Sequence, residues 1–181
     1  MNYQDLYLDT ISKLKSNQRP LIKLTPELMF ELKTEWQKII LETMIDEKNL
    51  LKILCILDNT QNQSREFNEL FLSTLEKVTN DQILIHTLGA CQKHIISESL
   101  KSGDMIPAAF FLHLKNNLKT RNPEVLEWTL RTIESMGPLS LRLKKEVQMI
   151  KPGFFKFINP HQKSSFLIIE LLEKQWEKYE R

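Results

Sequence analysis

This chain has few of the residues that punctuate β-structure and none of the motifs that mark a common reaction. Four glycines occur in 181 residues. No Asn-Gly or Asp-Gly pair and no sustained two-residue alternation signals a hairpin, so a β-architecture is excluded. Two cysteines, Cys55 and Cys91, form no CxxC pair and both fall in apolar-periodic segments. That is the pattern of reduced, buried thiols, not of a disulfide framework or a zinc ribbon. The first residues, Met1-Asn2-Tyr3-Gln4-Asp5, are neither basic nor apolar and predict no secretory leader. No apolar run approaches the ~18 residues that span a bilayer. A cytoplasmic protein with no membrane span is the expectation. Gly-x-Ser-x-Gly, P-loop, His-Glu-x-x-His and Gly-x-Gly-x-x-Gly motifs are all missing. The chain is therefore expected not to be an enzyme, to carry no cofactor and to have no catalytic residue.

What is present is helical grammar. A hydrophobic content of 41% and a charged content of 27% suit one globular domain over residues 1–181. Three of the glycines (Gly103, Gly137 and Gly153) fall between periodic segments, and Pro26, Pro107, Pro123, Pro138 and Pro160 open them. Proline at a first helical position loses no hydrogen bond, and glycine just past a helix end accepts the left-handed conformation. Helices are predicted over 3–15, then over 26–43 with Thr25 as cap, and from Asp46 through Leu57. Further helices end at Val78, run over 82–97 after Asn80-Asp81, and run over 107–119. A hairpin follows, in which Asn122-Pro123 opens one helix to Met136 and Gly137-Pro138 turns into a second that ends at Ile150. The terminal helix is placed at 160–179. The pattern is all-α, and periodicity puts Leu112 and Ile133 in the core and Glu124 at a solvated start.

The segments partly repeat. Asn80-Asp81…Ile83-Leu84…Leu88 shifted by 42 residues falls on Asn122-Pro123…Val125-Leu126…Leu130. Phe71-Leu72…Val78 shifted by 40 falls on Phe111-Leu112…Leu118, and Leu50-Leu51 lies 33 before Ile83-Leu84. Such spacings bracket the two-helix repeats. Asn122-Pro123-Glu124-Val125 with Leu130, Ile133 and Gly137-Pro138 resembles the first helix and corner of a HEAT repeat. Ile106-Pro107-Ala108-Ala109 with Leu112, Leu114 and Leu118 is similar to a second helix. The likeness is strongest over 105–151 and extends over 81–104. It implies a short right-handed HEAT-like α-solenoid of about four helix pairs plus a capping helix at 160–179. The Arg and Asp ladder positions common in such repeats are missing, and position 127 beside Trp128 is Glu. The subfamily therefore stays open, as does an irregular helical bundle.

Charge divides unevenly along the chain. The net charge is +2, but residues 1–104 hold 12 basic and 15 acidic side chains, and residues 105–181 hold 13 and 8. Lys115, Lys119, Arg121, Arg142, Lys144, Lys145 and Lys151 belong to or follow the helices that the resemblance makes second helices, which line a concave face. They are the candidate binding cations. Phe154, Phe155 and Phe157 read either as a cap on the last repeat or as a docking knob. His86, Cys91 and His94 are the one cluster of ligand-type side chains, and no nearby carboxylate or thiol completes a metal set, so no metal is expected. Glu124, Glu127 and Glu134 read as a solvated face. The last turns of the terminal helix, at 173–178, also read as solvated, and its apolar residues leave self-association through this helix open. These features imply a non-enzymatic protein–protein adaptor or scaffold whose partner carries an acidic or amphipathic segment. The alternative is nucleic-acid binding through the basic groove; DNA-alkylation-repeat proteins are the precedent, but none of their catalytic residues can be matched here.

Overall fold

The computed structural model describes residues 2–150 and 159–180. It is all-helical, and among these residues the only β-type pairing is an isolated bridge between Ile22 and Thr60. Ten α-helices are described: α1 (Tyr3–Lys15), α2 (Pro26–Leu41), α3 (Glu47–Asn59), α4 (Asn68–Lys77), α5 (Asp81–Cys91), α6 (Glu98–Ser102), α7 (Ala108–Asn117), α8 (Pro123–Glu134), α9 (Lys144–Met149) and α10 (Pro160–Tyr179). No described helix is long and apolar enough to cross a membrane. Two compact units result, Met1–Ser102 and Gly103–Arg181.

Local chemistry sets the helix starts. Thr25, Asp46, Asn80, Asn122 and Asn159 each accept a backbone N–H of the helix that follows, satisfying donors with no intrahelical partner. Pro26, Pro123 and Pro160 sit in first turns, where their missing N–H is harmless.

In the first unit, α3 contacts both α1 and α5, α2 contacts α4, and α2 and α4 contact α3 and α5 respectively. Its centre is aromatic. Trp36 lies 4.9 Å from Phe71 and 6.1 Å from Phe67, ring centre to ring centre, and its indole N–H donates to Thr74 Oγ1 at 3.0 Å. A buried indole keeps its polar end bonded this way while its rings fill the core. In the second unit α10 packs on α8 and on a 3₁₀ segment, Gly137–Leu143, and α7 packs on α8. There the fully buried Trp176 donates to Ser140 Oγ at 2.8 Å.

The structure corrects several expectations. Helix 82–97 is not uniform: α5 passes at Gln92–Ser97 into a π-helical turn that continues into α6, so the helical run extends to Ser102 before the turn at Gly103. The stretch after Gly137 is not one α-helix either, but the 3₁₀ segment followed by the short α9. The tighter winding lets Ser140 bond Gly137 O and still meet the Trp176 indole. Leu112 is 58% exposed, because α7 buries Phe110, Phe111 and Leu114 instead. Trp176, at a periodic position in the last turns of α10, is in the core, while Lys174, Glu177 and Lys178 around it are exposed. Glu127, expected on a solvated face, is buried to 7% exposure.

Candidate interaction surface

Helices α7 and α9 and the turn after α7 place three of the candidate cations around one cleft. Lys115, Lys119 and Lys145 line it with Leu118, Met149, Ile150 and Glu146, around a cavity of about 280 Å³. The helical period puts Lys145 and Met149, four apart, on one face of α9, and Lys119 lies in the turn just past the end of α7, beyond Lys115. Leu118 is buried, whereas Met149 is 76% exposed, an apolar side chain held at the surface beside cations. Glu146 is the counter-charge. Lys115 Nζ lies 2.6 Å from Glu146 Oε1, and that bond holds the Glu146 carboxyl below the usual carboxylate range. Both side chains are partly exposed, so the pair itself stabilises the fold little. It spans the cleft from α7 to α9.

The other candidates lie elsewhere. Arg142 stacks its guanidinium 4.2 Å from the centre of the Phe111 ring. Lys144 donates to both Glu180 carboxylate oxygens, at 2.6 and 2.8 Å, tying the start of α9 to the end of α10. Arg121 is exposed just beyond α7. Lys151, Phe154, Phe155 and Phe157 fall outside the described residues.

The His86, Cys91 and His94 group is dispersed. His94 is fully buried: Nδ1 accepts the Ser64 N–H at 3.2 Å, and Nε2 lies 3.2 Å from Leu57 O. Since Nδ1 accepts, the ring proton sits on Nε2 and points at Leu57 O, one of the carbonyls that α3 leaves without an intrahelical partner. Burial pushes the imidazole down to about 4, outweighing the bonds that favour its charged form. His86 faces Asp58 instead, at 3.3 Å. Both thiols are free and buried, and burial raises Cys55 to about 11 and Cys91 well above the ordinary thiol range, which favours the neutral thiol at both. Among the described residues no three His, Cys, Asp or Glu side chains are grouped to hold a metal.

Sequence reasoning missed a polar clasp and a second cleft. Glu127 accepts from Arg131 Nε and Nη2 at 2.9 and 2.6 Å and lies 2.7 Å from His161 Nδ1, joining α8 to the start of α10. Burial pushes its carboxyl up, but Arg131 and His161 together outweigh this and hold it below the usual range. The i,i+4 spacing to Arg131 was legible; His161 was not. The cleft, between the connection before α2 and the end of α3, is lined by Arg19, Asp58 and Lys93 among others. No model of a known protein family matches the chain, and no curated protein or solved structure matches it significantly.

Proposed function

We propose that this chain is a non-catalytic helical-repeat module, HEAT-like in its stacking, that binds another protein by taking an acidic, amphipathic segment into the cleft between α7 and α9. One observation carries this reading: Lys115, Lys119 and Lys145 share a cleft with Ile150, the buried Leu118 and the exposed Met149. A helix with apolar residues three and four apart and flanking carboxylates matches that surface in shape and in sign. Recurring caps support the repeat reading. Asp46, Asn80 and Asn122 each cap a helix whose eighth residue beyond the cap, Leu54, Leu88 or Leu130, is fully buried. The first two caps are 34 residues apart, not the 33 of the leucine pairs, and the next two are 42 apart. Contacts of α3 with α1 and α5, of α2 with α4, and of α8 with α10 fit stacked hairpins.

Nucleic acid is the weaker occupant. Lys115 is neutralised by Glu146, Lys144 by Glu180, and Arg142 stacks on Phe111. That leaves Lys119 and Lys145 at the cleft, with Glu146 facing any phosphate that enters. Two contacts predict a log–log salt slope of only about −1.4 to −1.8. The test titrates a designed helical peptide, leucines at i, i+3 and i+7 with glutamates beside them, and a mixed-sequence DNA oligonucleotide at two salt concentrations. Peptide binding is expected to weaken about tenfold or more in Lys119→Glu/Lys145→Glu, as when charged contacts are lost, and to survive Lys144→Glu. Sub-micromolar DNA affinity near physiological salt, or peptide binding indifferent to the double reversal, would overturn the proposal.

A further inference from the structure

The connection between α1 and α2 runs along the end of α3, where a cavity of about 410 Å³ opens. Its walls are fixed. Gln61 donates its N–H to Ile22 O at 2.7 Å, and the Asn62 side chain bonds both the N–H and the carbonyl of Leu24, at 2.7 and 3.3 Å. Lys93, carried by the π-helical turn, donates to Asp58 O at 2.8 Å and to Thr60 O at 2.5 Å, closing the end of α3. An ammonium has three donors, so one is left.

Arg19 lines the same cavity, and no acceptor among the described residues holds its guanidinium. Burial and then the nearby Arg19 both disfavour the charge on Lys93, against the favourable pull of Asp58. Asp58, whose carboxylate turns toward His86, is the acidic residue on these walls. Two cations and one anion leave one positive charge unmatched in a partly enclosed space. Pro20 and Leu21 supply an apolar side.

We propose that this cleft binds a small organic carboxylate, its oxygens taken by the Arg19 guanidinium and the free Lys93 donor and its body lying against Pro20 and Leu21. A guanidinium fork matches a carboxylate in geometry. One negative charge balances the walls, whereas a phosphate dianion would set a second charge against Asp58. The volume lies within the ordinary range of small-molecule sites. This site and the α7–α9 cleft belong to different units and rest on different residues.

Amide NMR titrations of the whole chain at fixed pH and ionic strength decide it, with benzoate, its neutral isostere benzamide, and phenyl phosphate as probes. Benzoate is expected to give saturable shifts at residues 58–61 and 93, to bind more tightly than the other two, and to weaken about tenfold or more in Arg19→Ala, as when a charged hydrogen bond is lost. Arg19 is exposed in a connection and makes no bond, so that variant is expected to keep the native spectrum. Lys119→Ala/Lys145→Ala is expected to leave benzoate binding unchanged. Equal binding by Arg19→Ala, equal or tighter binding of benzamide or phenyl phosphate, shifts confined to other residues, or no saturation would each overturn the assignment.

Discussion

Displaced by 42 residues, α5 and α8 begin alike. Asn80 and Asn122 each accept two backbone N–H groups. Ile83 and Val125 are buried, Thr87 and Thr129 each return a hydroxyl to the carbonyl four residues back, and Leu88 and Leu130 are fully enclosed. The two then diverge. Where α5 carries Ile85 and Gly89, α8 carries Glu127 and Arg131. A Cβ on Gly89 would lie 2.8 Å from Asp58 Oδ1, so the missing side chain leaves room for the end of α3 against α5. The corresponding face of α8 meets α10 through the Glu127, Arg131 and His161 clasp. One frame of cap and core thus serves a close glycine contact in one unit and an ion-pair clasp in the other. The frame is local in sequence; the partner is not.

The largest effects should fall on the shared frame. Leu88→Ala and Leu130→Ala each remove a fully enclosed side chain and are expected to cost about 2–5 kcal/mol. Because the two units need not unfold together, stability is best read by amide hydrogen exchange in each unit separately. Each variant should loosen its own unit by a similar amount. A loss below about 1 kcal/mol at either leucine would break the equivalence of α5 and α8.

The divergence shows where the sequence was readable. Bounds of α1 and α10 and the caps Thr25, Asp46, Asn80 and Asn122 follow from residues within one or two turns, and they came out as expected. What failed depended on distant partners. Glu127 is polar and so reads as solvated until His161, 34 residues on, closes over it. The π-helical turn exists with Lys93 and His94 both bonded to the end of α3, and nothing at 92–97 announces those contacts. On α7 apolar residues surround most of the helix, so periodicity could not decide between Leu112 and Leu114 for the core. Of the candidate cations, spacing alone grouped Lys115 with Lys119; that Lys145 joins them while Lys144 turns to Glu180 is a tertiary fact.

A second contrast lies at the helix ends. His94 and Met136 occupy corresponding positions and both are fully buried, but only the first can titrate. The folded state holds His94 at about 4, below the ordinary 6.5. The unfolded chain therefore binds an extra proton between those values, and stability should be full above pH 6.5 and fall as pH drops toward 4. The span corresponds to about 3 kcal/mol. His94→Gln can still accept from Ser64 and donate to Leu57 O, and it should flatten this slope in Met1–Ser102. Acid sensitivity in that unit unchanged by His94→Gln would assign the titration to another group.

The smallest effect is the sharpest test of the frame, because it probes the caps alone. Asn80→Ala and Asn122→Ala each free two helix N–H groups without touching the core, and each is expected to cost about 1 kcal/mol. Asn80 also donates to Glu47 Oε2 at 2.8 Å, but that bond is exposed and adds little. Pro123 follows Asn122 and pre-sets the first turn of α8, whereas Asp81 follows Asn80 and adds a charge favourable to the helix start. Replacing Asp81 by proline in the Asn80→Ala background removes an N–H that needs no partner within the helix but also the favourable charge, and should add a further loss of about 0.3–1 kcal/mol. Urea melts of both single variants and the double variant measure this. Losses at Asn80 and Asn122 that differ by more than about 1 kcal/mol would mean that the two caps, alike in geometry, hold helices of different intrinsic stability.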